Sequence, residues 1–351
     1  MLPYLQEPAD LWNHIQYAKS IHQWSDVVSP HFLFQLLVIA IAKASSLSYE
    51  AAAIVLMSLC YAGMAGMIGA QIRRSSPRGS PMGALSVAVL VLLVSHIFVQ
   101  TALALNFYYG YIAPTVYHNP TQVLSKALSI AVLFAYFRVA FEGQKGAVWV
   151  LILPVGVILS AVAKPSFLIA FLPCVCAVEF YRALSGSWKA ALRNLTLVAI
   201  PACIVLALQY RVTFNGSPGG GGLGFAPFAV YGGPADVLKK LPGSLLFPVV
   251  AAVVIWRQRA EANRLLFAWF LYAVGMTISI CVVESGGRMM QGNFAWTGQT
   301  VTFLLYVESA IAVAAVAWRR AWPAWAAFGL HVIFGAIWYS AALLMPIGTF
   351  L

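Results

Sequence analysis

Charge is what this sequence has least of. Only 9% of its 351 residues are Asp, Glu, Lys or Arg, whereas a soluble domain carries about 25%. A water-exposed surface cannot be built from such a chain. Acids are scarcer than bases, 10 against 21, which leaves a formal charge of +11. A basic excess can signal nucleic acid, but no basic stripe interleaved with aromatics is present. No nucleic-acid partner is expected, and the Lys and Arg residues read as membrane topology signals. Cysteine is sparse too. Cys60, Cys174, Cys176, Cys203 and Cys281 lie in apolar runs. The Cys174-Val-Cys176 pair is too tight for a usual zinc pair and lacks a second half. Neither a disulfide framework nor a metal centre is expected. The strand-like alternation that a membrane barrel needs is absent as well.

What is present is apolar: 62% hydrophobic residues and a mean hydropathy of +0.84. The runs divide into about ten segments of roughly 17–25 residues, the length a bilayer demands of a helix. They fall at 49–72, 83–106, 121–141, 147–163, 167–184, 194–211, 245–256, 265–283, 300–318 and 324–347. The run at 245–256 is short and is expected to borrow from its flanks. Helices satisfy every backbone amide locally, which lipid requires. The fold class expected is all-α, a polytopic transmembrane bundle. It forms a single membrane domain over 1–351, with 1–44 as an outer-face loop and interfacial helix and 49–347 as the bundle.

Positive charge orients the bundle. Arg73, Arg74 and Arg78 follow the first span, and Arg138 and Lys145 flank the third. Arg182, Lys189 and Arg193 follow the fifth, Arg257, Arg259 and Arg264 the seventh, Arg319 and Arg320 the ninth. Every second connection is short and basic, which assigns that side to the cytoplasm. The opposite segments, including loops 108–120, 212–244 and 285–299, are rich in Gly, Asn, His, Tyr and Trp. They also hold Glu7, Asp10, Asp26, Asp236 and Glu284. Loops held by a rigid scaffold are where function concentrates, so the outer face is the candidate site.

Residues 10–18 read as a short amphipathic helix with Asp10 and His14 on one face. Two readings stand: a surface-lying anchor, or a carboxylate general base beside an imidazole at the membrane surface. After Ser29-Pro30, the apolar run from His31 to Lys43 is about 13 residues, too short to span and therefore interfacial or re-entrant. Asn119-Pro120 reads as a helix start. It puts His118 at the mouth of the third span and Lys126 about two turns inside, free to snorkel outward. Lys164-Pro165 sits in a tight outer turn where a lysine reaches headgroups. Glu284 and Arg288 are spaced to pair across a Ser-Gly-Gly, or the two glycines let the backbone approach a ligand closely. Asn293, Trp296 and Gln299 offer amides and an indole face suited to sugars. Glu308 falls inside the ninth span. The glycine-dense stretch after Asn215 lacks the GKS/T ending of a nucleotide loop and reads as a flexible lid or acceptor-side loop.

The Asp10-x-x-x-His14-x-x-x-Ala18 pattern and the Pro30-His-Phe-Leu-Phe segment resemble the GT-C superfamily of integral membrane glycosyltransferases. So do Tyr117-His-Asn-Pro-Thr121, Lys164-Pro-Ser-Phe167, and Glu284-Ser-Gly-Gly-Arg288 through Asn293-Phe-Ala-Trp296. The resemblance implies inverting transfer of a sugar from a polyprenyl-phosphate-linked donor to a glycan, lipid or protein acceptor. It implies Asp10 as the base that deprotonates or orients the acceptor hydroxyl, with Glu7 the nearest substitute. The substrate-binding set it suggests is His14, His118, Asn119, Lys164, Arg211, Glu284, Arg288, Asn293 and Trp296. Lys164, Arg211, His118 and Arg288 are the groups offered to a lipid phosphate. No cofactor and no metal are expected, since the paired-acid motif of metal-using members is missing. Localisation would be the bacterial inner membrane, with the active face periplasmic or extracellular. Such chains usually open with a helix that delivers the acidic loop. This one opens at Leu2-Pro3, so either that helix lies upstream or the segment crosses unaided. Two other classes remain open: an O-antigen polymerase or ligase using lipid-pyrophosphate glycans, which would not need Asp10, and a transporter or flippase, which would show inverted repeats.

Overall fold

The computed structural model describes residues 10–27, 29–76, 79–97, 119–215, 222–256 and 262–344. They form an all-α bundle. Its helices are α1 (Asp10–Ser20), α2 (Leu33–Ser45), α3 (Tyr49–Ser75), α4 (Pro81–Leu93), α5 (Pro120–Ala140), α6 (Ala147–Ala163), α7 (Ser166–Arg182), α8 (Trp188–Asn215), α9 (Pro234–Ile255), α10 (Ala262–Cys281), α11 (Ala295–Ala314) and α12 (Trp318–Leu344). A small antiparallel pair, β1 (Leu223–Phe225) and β2 (Val282–Glu284), ties two loops together in the register Leu223 to Glu284. At the centre stands α11, buried along nearly its whole length and packed on α3, α5, α7, α9 and α10.

Local chemistry sets the helix starts. Ser48, Ser80 and Asn119 each accept a backbone N–H from the first turn of the helix they cap, which satisfies a donor that would otherwise be orphaned. Pro81 and Pro120 follow their caps directly, where a missing N–H costs nothing. Between α7 and α8 the chain turns through Gly186, whose φ of 90° suits a residue without Cβ.

Six stretches among the described residues are long and apolar enough to cross a membrane: Tyr49–Ser75, Pro120–Ala140, Ser166–Phe214, Pro234–Ile255, Asn263–Cys281 and Trp318–Ser340. The stretch Ser166–Phe214 holds both α7 and α8, which pack on each other. Leu33–Ser45, Pro81–Leu93 and Ala147–Ala163 are apolar but shorter. Ten independent crossings are therefore more than the helix lengths establish.

Two expected boundaries are corrected. The run at 245–256 is the second half of α9, which starts at Pro234, so the outer loop 212–244 is largely helical at both ends. Pro242 and Pro248 lie inside α9, which is why the sequence read as loop there. The run at 83–106 is not one helix either, because α4 ends at Leu93 and Val94–Ile97 is not helical. Ser95 N–H donates to the His331 carbonyl and Ile97 N–H to the Gly243 carbonyl, so α12 and α9 take over the amides that a helix would have satisfied. A Cβ on Gly335 would collide with the Leu93 carbonyl oxygen, whereas one on Gly329 of the same helix meets nothing within 4 Å. Gly335→Ala is accordingly expected to destabilise toward the upper end of the ~1–3 kcal/mol typical of overpacking. Gly329→Ala should be neutral. Paired thermal melts of the two purified variants in detergent check this, and equal melting temperatures would refute it.

The two ends of the bundle differ in charge. Arg74 and Arg138 both reach Glu142, at 2.7 and 2.8 Å, and Arg182 lies 3.3 Å from Glu179. Arg264 grips Glu308 through two bonds of 2.8 and 3.1 Å. The Glu142 contacts join the ends of α3 and α5, the Glu179 contact lies within the end of α7, and the Glu308 contact joins the start of α10 to α11. Arg74, Arg138, Arg182 and Arg264 are all residues that the charge alternation assigned to one side.

Candidate functional site

At the opposite end, five elements meet over a buried polar recess. Helix α1 supplies the first wall. Leu11, Ile15 and Ala18 anchor it in the core, which leaves Asp10 and His14, four residues apart, on a common face. A Lys19–Glu50 ion pair of 2.6 Å clamps its C-terminus to α3. Tyr17 Oη accepts the Ser29 N–H at 2.9 Å, which holds the turn into α2.

Asn119 joins that wall to α5. Its Oδ1 caps the helix by accepting from Gln122 N–H at 3.0 Å, and also accepts from Thr121 Oγ1 at 2.8 Å. With the oxygen occupied, Nδ2 donates outward to Asp10 Oδ2 at 3.1 Å. Asn119, Gln122 and Lys126 follow at a spacing that keeps them on one helical face, and all three are buried. Gln122 Nε2 donates to the Trp296 carbonyl and to Thr300 Oγ1, at 3.1 and 2.6 Å. Among the described residues its Oε1 is buried without a partner.

Lys164 owes its place to the proline after it. Residues preceding proline are driven out of the helical region, and Lys164 is extended, with φ −172° and ψ 129°. This ends α6 and sets the side chain between α6 and α7. The ammonium lies 4.0 Å from the centroid of the Trp296 ring, a close cation–π contact. The lysine is only 9% exposed. Burial pushes its pKa down to about 7, with the Asp10 carboxylate opposing the shift. His14 and His31 are both held neutral, at about 4. Burial is the main cause for each, and Lys164 adds to it. The recess thus contains one carboxylate, two neutral imidazoles and a lysine that titrates near neutrality.

Of the residues expected to act together, the structure gathers Asp10, His14, Asn119, Lys164 and Trp296. Arg288 and Asn293 are exposed. Glu284 ends β2 half-buried, with its Oε2 buried and without a partner among the described residues, and makes no hydrogen bond or ion pair with the gathered set among them. The expected Glu284–Arg288 pair does not form among the described residues. Arg211 is exposed on the last turns of α8. Its neighbour Gln209 reaches inward instead, donating to the Pro30 and Ala161 carbonyls at 2.9 and 2.7 Å. His118 and Glu7 lie outside the described residues. Lys126 does not snorkel: it is 3% exposed, its ammonium 5.0 Å over the Phe303 ring. Sequence reasoning missed His31, Gln35 and Gln122 as site residues. The spacing of Gln122 from the Asn119 cap was the signal available for that residue, and His31 lay inside the Pro30-His-Phe-Leu-Phe segment without being singled out. Nothing local pointed to Gln35.

Glu308 belongs elsewhere. Its bidentate contact with Arg264, which also lies 4.8 Å over Phe137, makes it part of the basic end. No group of three or more His, Cys, Asp or Glu that would hold a metal occurs among the described residues.

Fold and site together define a helical bundle of membrane type with a polar recess at the end away from Arg74, Arg138, Arg182 and Arg264. The chain matches no protein-family model, and neither a curated protein nor a solved structure is significantly similar to it.

Proposed function

We propose that the protein is an integral membrane glycosyltransferase that moves a sugar from a polyprenyl-phosphate donor to an acceptor hydroxyl, with inversion. The observation that carries this reading is the Asp10 carboxylate, oriented by Asn119 and opposed by a buried Lys164 that stacks on Trp296. A base, a cation for the leaving phosphate and an indole face for a sugar ring stand in one recess. In the reaction, Asp10 takes the proton of the acceptor hydroxyl as its oxygen attacks the anomeric carbon. The bond from that carbon to the phosphate oxygen breaks on the opposite face, and the departing phosphate carries the electron pair away to Lys164. Lys126 lies one layer deeper on the same face of α5.

In this reading the helices cross a bacterial plasma membrane about ten times, and the recess opens to the periplasmic or extracellular side. Helix α2 lies across that end as an interfacial or re-entrant element. Supporting this, Pro30 before it contacts Gln209 at the outer end of α8, and α3 after it starts beside Lys19.

The test is a transfer assay in membranes with polyprenyl-phosphate sugars. Turnover confined to lipid-pyrophosphate glycans would replace the reading with a polymerase- or ligase-type enzyme. Lys164 supplies a pH prediction. A phosphate donor needs the ammonium form, which burial makes easy to lose, so kcat/KM should fall as pH rises through about 7. Lys164→Arg, which cannot deprotonate in that range, should flatten the alkaline limb. An unchanged limb would remove Lys164 from phosphate binding.

A further inference from the structure

The amide of Gln35 is fully buried, and its surroundings decide which way it faces. With Nε2 turned toward the start of α2 it donates to the His31 and Phe32 carbonyls, both at 3.2 Å, and Oε1 then meets His14 Nδ1 at 2.7 Å. In the opposite orientation the amide oxygen would face two carbonyl oxygens with no donor between them, which burial makes costly. The favoured orientation therefore makes Gln35 an acceptor toward His14. The bond made by one ring nitrogen decides the state of the other. Phe34 meets the imidazole edge-on at 6.0 Å between centroids, so the ring is held in place by packing as well as by the amide.

We propose that Gln35 is a positioning residue that locks His14 in its Nδ1–H tautomer, which leaves Nε2 as a lone-pair acceptor for a substrate hydroxyl beside Asp10. The hydroxyl rests on the glycosyltransferase reading; the tautomer does not. Two facts support it. His14 shares a helix face with Asp10, and the ring is kept neutral at about 4, so its free nitrogen holds a lone pair throughout the physiological range. The charged and titratable groups around the ring are Asp10 on its own helix, Lys164 at the α6–α7 turn and His31 ahead of α2. None of these competes with Gln35 for Nδ1. Asp10 and His14 then divide the work: the carboxylate removes the proton, and the imidazole accepts a hydrogen bond that aims the hydroxyl oxygen.

Nitrogen-15 NMR of histidine-labelled protein in nanodiscs tests the lock, with the His14→Gln variant identifying the His14 signals. The expected spectrum shows protonated Nδ1 and unprotonated Nε2. Gln35→Met should lose that preference, and Gln35→Glu, which keeps an acceptor at the same place, should retain it. A wild-type ring protonated on Nε2, or a Gln35→Met spectrum identical to wild type, overturns the proposal. If Gln35→Met does not fold, the wild-type and Gln35→Glu spectra still decide it. In the transfer assay, Gln35→Met should lower kcat at least about tenfold with KM little changed, and Gln35→Glu should recover part of the loss. A locked tautomer in a protein that transfers no sugar would sink the glycosyltransferase reading alone and leave the positioning role standing.

Discussion

Asp10→Asn is expected to lower sugar transfer by at least about 10²-fold, the smaller end of what a positioned general base contributes. The substitution is nearly isosteric. The amide oxygen can still accept from Asn119 Nδ2, now at 3.1 Å, so α1 should stay docked through Leu11, Ile15 and the Lys19–Glu50 clamp. What is lost is the negative charge that receives the acceptor's proton and balances Lys164. The effect should therefore appear in kcat, accompanied by a higher donor KM because Asp10 also opposes the fall in the Lys164 pKa. Asp10→Ala should be no worse in kcat than Asn if charge is the whole contribution. Retained turnover in Asp10→Asn, with the variant folded as judged by its melting temperature, would remove the base from the mechanism.

The second large effect concerns stability. Glu308→Ala should destabilise the bundle by about 3–5 kcal/mol, the cost of stripping one partner from a buried ion pair. Arg264 is 8% exposed and lies over Phe134 and Phe137. Without Glu308 its guanidinium would lose a two-pronged partner at 2.8 and 3.1 Å in a largely buried place. Removing both charges should cost far less, because apolar side chains of similar volume suit that environment. The double variant Arg264→Met with Glu308→Leu is accordingly expected to melt close to wild type, and Glu308→Ala alone well below it. Additive losses in this cycle would show that the pair is not coupled.

The reading of each residue from sequence succeeded where short-range chemistry governs and failed where a distant partner does. Asn119-Pro120 announced a capped helix start, and the structure has one. Asp10 and His14 share a face because four residues separate them. Nothing near Lys126 announces that Phe303 and α11 enclose it, so a lysine two turns inside an apolar run read as one that reaches the surface. Gln35 looked like one polar residue in an apolar run, and its contact with His14 spans 21 positions. The Glu284–Arg288 spacing suggested an ion pair, but β2 pairs with β1 and carries the backbone elsewhere. The helix after Pro81 continued in the sequence past Leu93. It stops in the structure because α9 and α12 offer backbone acceptors at Gly243 and His331.

The asymmetry between a basic end and a polar end was determined by the sequence itself. It depends on composition and on the alternation of Arg and Lys between apolar runs, both of which are local quantities. The scarcity of charge pointed to a helical bundle in the same way, since only helices and closed barrels satisfy the backbone in lipid and the strand-like alternation of a barrel is missing. Which of the polar residues share one recess was decided only by tertiary structure. Asp10, Asn119, Lys164 and Trp296 are brought together by helix packing, a long-range property that depends on how apolar faces fit and not on spacing along the chain.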